Sequence, residues 1–173
     1  ILGVGRFFAF MHPKKQEEMI QAFIKMKSDW QLVLIGGVFG ENSRKSVTDL
    51  KKIAKGYNIK IITDSTLDVL KDYYSRAKLF WHAAGFGEDL KRYPEKAEHF
   101  GMSIVEAMAA GCVPIVFSGG GQIEIVNEKN APSFLEYLKQ RKIDKKREII
   151  IMLHVSKTKS TILERFIKNI FFA

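Results

Sequence analysis

The amino-acid sequence predicts an α/β fold built on a doubly wound parallel sheet. Short apolar runs alternate with segments of helical spacing, and most of the runs end at glycine or polar residues. The composition is that of a globular protein, with 46% hydrophobic and 27% charged residues. Strands that alternate with helices form parallel sheets, because each helix returns the chain to the same end of the sheet.

The first two strand–helix units follow this pattern most clearly. Residues 1–4 form an apolar run that ends at Gly5, and residues 17–27 carry apolar side chains at the spacing of an amphipathic helix. Residues 31–35 repeat the strand pattern before a pair of glycines. Residues 47–56 repeat the helix pattern up to a glycine, which is a typical helix end.

The alternation continues to residue 126. The remaining predicted elements are strand 59–62, helix 67–77, strand 79–82, a glycine-bearing loop at 84–94, helix 100–110, strand 113–117 and a short helical turn at 122–126. Beyond them the pattern weakens. Residues 133–142 and 160–172 have helical spacing, and residues 149–155 fit either a strand or a helix. We expect residues 128–173 to complete the same domain as a basic helical region.

Charge is distributed unevenly along the chain. The net charge is +9, and residues 128–173 hold 11 Lys and Arg against 5 Asp and Glu. Such a basic region forms a solvated face, or it contacts an anionic membrane surface, an acidic partner domain or nucleic acid. Nucleic-acid binding is disfavoured, because the aromatic residues lie in apolar runs and are not interleaved with Lys and Arg.

The apolar runs and the single cysteine indicate the environment of the protein. No run approaches the roughly 20 residues of a membrane-spanning helix, so none is expected. Cys112 has no partner for an internal disulfide and lies among small and apolar residues, so we expect a buried thiol in a reducing, cytoplasmic compartment. The chain opens on an apolar run without an initiating methionine, and we expect further sequence before it.

Ligands of doubly wound sheets bind beyond the carboxyl ends of the strands, so the loops at that edge are the candidate site. The strongest local pattern begins at Glu98, just before a predicted helix, and includes Glu106 within that helix. Carboxylates accept hydrogen bonds from sugar hydroxyls. The helix N-terminus, where free backbone N–H groups favour phosphate, is formed by Gly101, Met102 and Ser103.

This block resembles the E-x7-E motif of the glycogen-synthase-like, group 1 superfamily of retaining glycosyltransferases, family 4 type. It matches the context E-x-F-G-x-x-x-x-E-A-M-A-x-G without a gap. The resemblance implies the C-terminal, nucleotide-sugar-binding half of a GT-B fold, which is Rossmann-like. It assigns Glu98 to the transferred sugar and Glu106 to the ribose. It covers about residues 1–127, which we therefore predict to be the donor-binding core.

A second segment is similar to the family near the start of the chain. Gly5 and Arg6 follow the first strand as in the family's G-R segment, and Lys14 lies where the family has a Lys. The resemblance implies that this Arg and Lys neutralise the diphosphate of the donor. Lys15 stays an alternative, since it occupies the usual Gly and the loop is longer than usual. The candidate catalytic residues are Glu98, Arg6 and Lys14.

A third similar segment follows the fifth predicted strand. Gly119, Gly120 and Gly121 precede an E-I-V sequence, as in the family's G-G-x-x-E-I-V segment, where glycines let the backbone approach the donor. His82, at the end of the fourth strand, either has a structural role or points at the donor. Residues 62–65 occupy the position at which family members cradle the base.

No metal or cofactor is indicated by the sequence. His12, His99 and His154 lack the mutual spacing of metal ligands, and no Asp-x-Asp pair occurs. A metal-independent donor site is therefore expected, which agrees with the resemblance.

The resemblance implies transfer of a sugar from a nucleoside-diphosphate sugar to an acceptor hydroxyl with retention of configuration. The expected partner is an amino-terminal acceptor-binding domain, without which the chain binds donor but hardly turns it over. A non-catalytic nucleotide-binding or interaction module is the alternative, and a nucleotide-sugar 2-epimerase is disfavoured because it lacks this block. Peripheral association with the inner membrane face is expected by analogy with family members that glycosylate lipids.

Overall fold

The computed structural model describes residues 1–8 and 13–126 of the chain. Within these ranges five strands alternate with five α-helices in the predicted order. The strands are β1 Leu2–Val4, β2 Leu32–Gly36, β3 Ile59–Thr63, β4 Leu79–His82 and β5 Val113–Val116, and the helices are α1 Gln16–Met26, α2 Gly40–Ala54, α3 Leu67–Arg76, α4 Met102–Ala109 and α5 Gln122–Ile125. The elements predicted at 133–142, 149–155 and 160–172 lie outside the described residues.

The five strands form one sheet in the order β3-β2-β1-β4-β5, and every neighbouring pair is parallel. Strands β2 and β3 pair from Leu32 opposite Ile59 to Gly36 opposite Thr63. The strand order reverses between β1 and β4, which share the register pair of Leu2 and Phe80. Doubly wound sheets bind their ligands at such a reversal. The predicted fold class is confirmed.

Helices cover both faces of the sheet. Strand β2 shows why: alternate side chains of a strand point to opposite faces, so Leu32 and Leu34 enter one core cluster while Val33 and Ile35 enter the other. Helices α1 and α2 bury apolar side chains in the first cluster, and α3 and α4 do so in the second. These helical side chains are Met19, Ile20, Phe23, Val47 and Leu50 in the first cluster and Tyr74, Ile104 and Ala107 in the second.

Helix α2 begins at Gly40, well before the predicted start at residue 47. Its first turns are polar, and in residues 40–46 only Ser43 is buried, with its hydroxyl donating to the carbonyl oxygen of Phe7. A polar segment shows no apolar periodicity, so the prediction missed these turns. The buried hydroxyl nevertheless attaches the start of α2 to the loop after β1.

The single cysteine is buried, as the sequence predicts. Cys112 is 1% exposed, and its Sγ lies 3.3 Å from the carbonyl oxygen of Tyr74, to which the thiol donates, and 3.5 Å from that of Ala77. Burial raises the pKa of the thiol, as expected of an inert buried cysteine. In the described ranges no helix has both the length and the apolar composition needed to cross a membrane.

Candidate functional site

The loops after β1 and β4 and the start of α4 meet in a cavity of about 420 Å³ at the reversal of strand order. The cavity is open to solvent on one side. The predicted site residues that line it are Gly5, Arg6, Lys14, Glu98, Gly101, Met102, Ser103 and Glu106. Two segments far apart in sequence therefore converge at the edge where a ligand was expected.

Glu98 lies between two partners at the wall of this cavity. Its Oε2 accepts a hydrogen bond from Lys14 Nζ at 2.6 Å, and His82 Nε2 lies 2.6 Å from the same oxygen. The Glu98 side chain is only 11% exposed. Burial alone would raise the pKa of this carboxyl, but the hydrogen bonds from His82 and Lys14 outweigh it and hold the pKa well below its ordinary value. Glu98 is therefore ionised at neutral pH.

His82 is positioned by the sheet rather than by a loop. It is the last residue of β4, its ring stacks on Phe80 at a centroid distance of 6.3 Å, and its side chain is 2% exposed. Its Nε2 points at Glu98. His82 thus lies behind the motif carboxylate and is absent from the lining of the cavity, so the structure gives it a supporting position.

The two neighbouring lysines point to different places. Lys14 lines the cavity and contacts Glu98, whereas Lys15 Nζ donates to Glu88 Oε1 at 2.6 Å. Lys96 Nζ donates to the other Glu88 oxygen at 2.7 Å, and these hydrogen bonds from Lys15 and Lys96 lower the pKa of Glu88. Lys14 is therefore the lysine that faces the candidate site.

Lys15 also explains why the family pattern has a glycine at its position. It precedes helix α1 with a left-handed backbone, φ 57°. Glycine adopts this conformation without the steric cost that a Cβ imposes. The Lys15 side chain forms two ion pairs, with Glu88 at 2.6 Å and with Glu18 at 3.3 Å.

Arg6 lines the same cavity as Lys14 and Glu98 and is exposed. Its guanidinium stacks over the ring of Phe8 at 4.8 Å from the ring centre. Gln16 Nε2 donates to the carbonyl oxygens of Gly5 and Arg6 at 3.3 and 3.0 Å, which anchors the backbone of these two residues. An accessible guanidinium on an anchored backbone is suited to bind an oxyanion.

Helix α4 presents its N-terminus and one carboxylate to the cavity. Gly101 caps the helix with a left-handed backbone, φ 89°, where a side chain would be strained. Glu106 lies one turn further along, and its Oε2 accepts a hydrogen bond from the hydroxyl of Tyr74 at 2.9 Å. Sequence reasoning missed Tyr74, because nothing in the spacing of α3 shows which tyrosine faces α4.

The three glycines after β5 support the site from behind. Gly121 N donates to the Glu98 carbonyl oxygen at 2.7 Å, and a Cβ added at Gly121 would overlap the carbonyl oxygen of His99. A Cβ at Gly120 would overlap the carbonyl oxygen of Glu98. The glycines, Gly119 included, do not belong to the cavity lining. Their contact with the donor stays a prediction, and the contact with the backbone of residues 98 and 99 is what the structure shows.

Two further predictions concern the base and metal ions. In the loop after β3, Asp64 Oδ1 accepts a hydrogen bond from Val38 N at 2.9 Å, which joins this loop to the one after β2. This connection fixes the shape of the segment predicted to cradle the base. Across the described part of the chain, no three His, Cys, Asp or Glu side chains cluster in a way that suits a metal ion.

Comparison with known proteins identifies relatives of the chain. Residues 1–146 match the family described as Glycosyl transferases group 1. A mouse GDP-Man:Man(3)GlcNAc(2)-PP-Dol alpha-1,2-mannosyltransferase is 29% identical over 140 residues, covering 73% of this chain and 25% of the relative. The Xenopus laevis protein of the same name is 30% identical over 149 residues, covering 78% of this chain and 28% of the relative. The chain thus spans about a quarter of the length of these relatives.

Two other comparisons agree with this family. A glycogen synthase of Chlorobium phaeobacteroides is 30% identical over 87 residues, covering 46% of this chain and 18% of the relative. The solved catalytic domain of Arabidopsis thaliana starch synthase IV, described as bound to ADP and acarbose, superposes with a TM-score of 0.51 at 12% identity, covering 99% of this chain and 34% of that one. At this identity the superposition shows the fold, which is GT-B and Rossmann-like. The chain belongs to the group 1 family of glycosyltransferases.

Proposed function

We propose that this chain supplies the nucleotide-sugar-binding part of a glycosyltransferase that moves a sugar to an acceptor hydroxyl with retention of configuration. One observation carries the proposal. Two cationic side chains, Arg6 and Lys14, and two carboxylates, Glu98 and Glu106, face one cavity at the reversal of strand order in the sheet. A diphosphate needs cations and a sugar needs acceptors of hydroxyl protons, and the cavity offers both.

The cations have a chemical task in such a transfer. When the bond between sugar and diphosphate breaks, negative charge grows on the departing phosphate, and fixed cations stabilise it more in the transition state than in the ground state. Arg6 is accessible to that phosphate, and Lys14 is within reach of both Glu98 and the cavity. These two side chains supply the charge without a metal ion in our proposal.

Binding of the donor must rearrange the pair formed by Lys14 and Glu98. Their 2.6 Å contact pairs the two charges with each other. We propose that the diphosphate takes over Lys14 and that a sugar hydroxyl takes its place on Glu98. His82 stays on Glu98 through this exchange, so the carboxylate is never left buried without a partner, which would be costly.

The acceptor enters from a partner in this proposal. An amino-terminal domain forms the other wall of the cleft, and the phosphate of the donor itself takes the acceptor proton. Because holding donor and acceptor together supplies much of the rate of group transfer, the chain by itself binds nucleotide and shows little turnover. The mannosyltransferase relatives are named for GDP-Man, so GDP is the first nucleotide to test.

The experiment is isothermal titration of the chain with GDP, ADP and UDP in buffer containing EDTA, repeated with Arg6→Ala and Glu106→Ala. We expect one nucleotide to bind without metal, and each substitution to weaken it by about 10- to 100-fold, the cost of losing a hydrogen bond to a charged group. Arg76→Ala is the matched control, because Arg76 is exposed, pairs with Asp72 on its own helix and lies outside the cavity.

Two outcomes would contradict the proposal. A folded chain that binds none of the three nucleotides at millimolar concentration has no working donor site, and the interaction-module alternative then takes precedence. Binding that Arg76→Ala weakens as much as Arg6→Ala does would reflect the net charge of the chain rather than the cavity.

A further inference from the structure

We infer that Tyr74 is a positioning residue of the nucleotide site: its hydroxyl holds the Glu106 carboxylate in the orientation that receives the ribose. The inference rests on the proposed function and on the assignment of Glu106 to the ribose that the family resemblance implies. It adds a residue from α3, an element that contributes none of the predicted motif residues.

The contact joins two elements across the core. Tyr74 is 6% exposed, and its hydroxyl lies 2.9 Å from Glu106 Oε2 and 3.3 Å from the carbonyl oxygen of Ser103. A phenol has one proton to donate, and the carboxylate is the stronger and closer acceptor. Burial and the neighbouring Glu106 raise the pKa of the phenol, so Tyr74 stays protonated and keeps its role as donor.

The tyrosine ring is itself fixed. It packs in the second core cluster of the sheet and contacts the ring of Phe80 at a centroid distance of 6.1 Å. Its backbone carbonyl oxygen accepts a hydrogen bond from the buried thiol of Cys112. The hydroxyl therefore has a defined position from which to direct the carboxylate.

This arrangement prepares Glu106 before the ligand arrives. A glutamate on a helix surface samples several rotamers, and ordering it on binding costs free energy. The bond from Tyr74 occupies Oε2 and leaves Oε1 for a ribose hydroxyl. We expect its loss to weaken nucleotide binding by about 3- to 10-fold, the cost of ordering one long side chain at the moment of binding.

The test uses Tyr74→Phe, which removes the hydroxyl and keeps the buried ring. Its matched control is Tyr73→Phe on the same helix, since the Tyr73 hydroxyl bonds to Lys60 at 2.7 Å on the protein surface. Each variant is titrated with the tightest binder among GDP, ADP and UDP, and with the 2′,3′-dideoxy analogue of that nucleotide. Urea unfolding of both variants checks that they are folded.

The expected result is selective. Tyr74→Phe weakens the ribonucleotide by about 3- to 10-fold and leaves the dideoxy analogue unchanged, while Tyr73→Phe changes neither. An affinity equal to that of the unsubstituted chain, or equal losses for both ligands, would show that Tyr74 only packs. If the unsubstituted chain binds no nucleotide, the proposed function and this inference both fail. If it binds a nucleotide but Tyr74→Phe has no selective effect, only this inference fails.

Discussion

At the scale of single residues, the site depends on one shared carboxylate oxygen. Glu98 Oε2 lies 2.6 Å from both Lys14 Nζ and His82 Nε2. The depressed pKa of Glu98 means that the folded protein favours the ionised form more than the unfolded chain does. This contribution to stability is complete above the ordinary pKa of 4.5 and is lost as the pH falls below it.

The first prediction concerns Glu98→Gln. We expect the substitution to lower the free energy of unfolding by about 2 kcal/mol at neutral pH, because two charge-assisted hydrogen bonds are weakened. The difference from the unsubstituted chain should shrink as the pH falls below 4.5, where the unfolded glutamate takes up a proton. Urea unfolding at a series of pH values measures it. The exposed Glu95, substituted to Gln, is the control, and a difference for Glu98→Gln that does not change with pH would contradict the prediction.

The sequence indicated which motif residues lie together at one edge of the sheet, but not which side chains support them, and the roles of the motif residues stay predictions. Glu98, Glu106, Arg6 and Lys14 all reach the cavity, as their resemblance to a known family implies. The motif could not reveal Tyr74 as a partner, because such contacts depend on which side of a helix meets which loop. That relation is set by packing in three dimensions and leaves no spacing in the sequence.

At the scale of elements, the loop after β5 fixes the loop before α4. Gly121 approaches so closely that a Cβ would overlap the carbonyl oxygen of His99, while its backbone N–H bonds to the carbonyl oxygen of Glu98. The backbone of Gly121 has an ordinary helical conformation, φ −64°. A glycine is therefore required at position 121 because the backbone of residues 98 and 99 lies so close, and not because of an unusual backbone conformation.

The second prediction is that Gly121→Ala destabilises the chain by about 1 to 3 kcal/mol, the usual cost of overpacking, and also weakens nucleotide binding by displacing Glu98. Gly37→Ala is the control. A Cβ there would meet the ring of Phe39, an exposed side chain that is free to move away. Unfolding and titration of both variants test the prediction, and equal effects of the two substitutions would argue against it.

Elements were predictable where apolar side chains mark a buried face. The strands and helices α1 and α3 lie close to their predicted bounds, because they bury regular apolar residues in the core. The start of α2 was not predictable, since its inward-facing residue, Ser43, is polar and forms a buried hydrogen bond instead.

At the scale of the whole molecule, charge gives a third prediction. The net charge of +9 is concentrated in residues 128–173, and each Lys or Arg near an anionic surface contributes about 1 kcal/mol of attraction. We expect the chain to sediment with vesicles containing phosphatidylserine more than with purely zwitterionic vesicles. The difference should fall between about 0.1 and 0.5 M salt as the charges are screened. Equal sedimentation with both vesicle types would refute membrane-surface association.

The cavity forms only when Lys14 and Glu98, which are far apart in the sequence, come together. The two residues are 84 positions apart, and the chain between them contains three strands and three α-helices. A continuous fragment must therefore span at least residues 14–98 to contain both Lys14 and Glu98. In our proposal, a growing polypeptide gains affinity for a nucleotide only after Glu98 has reached Lys14, so nucleotide binding reports that the chain between these two residues has folded.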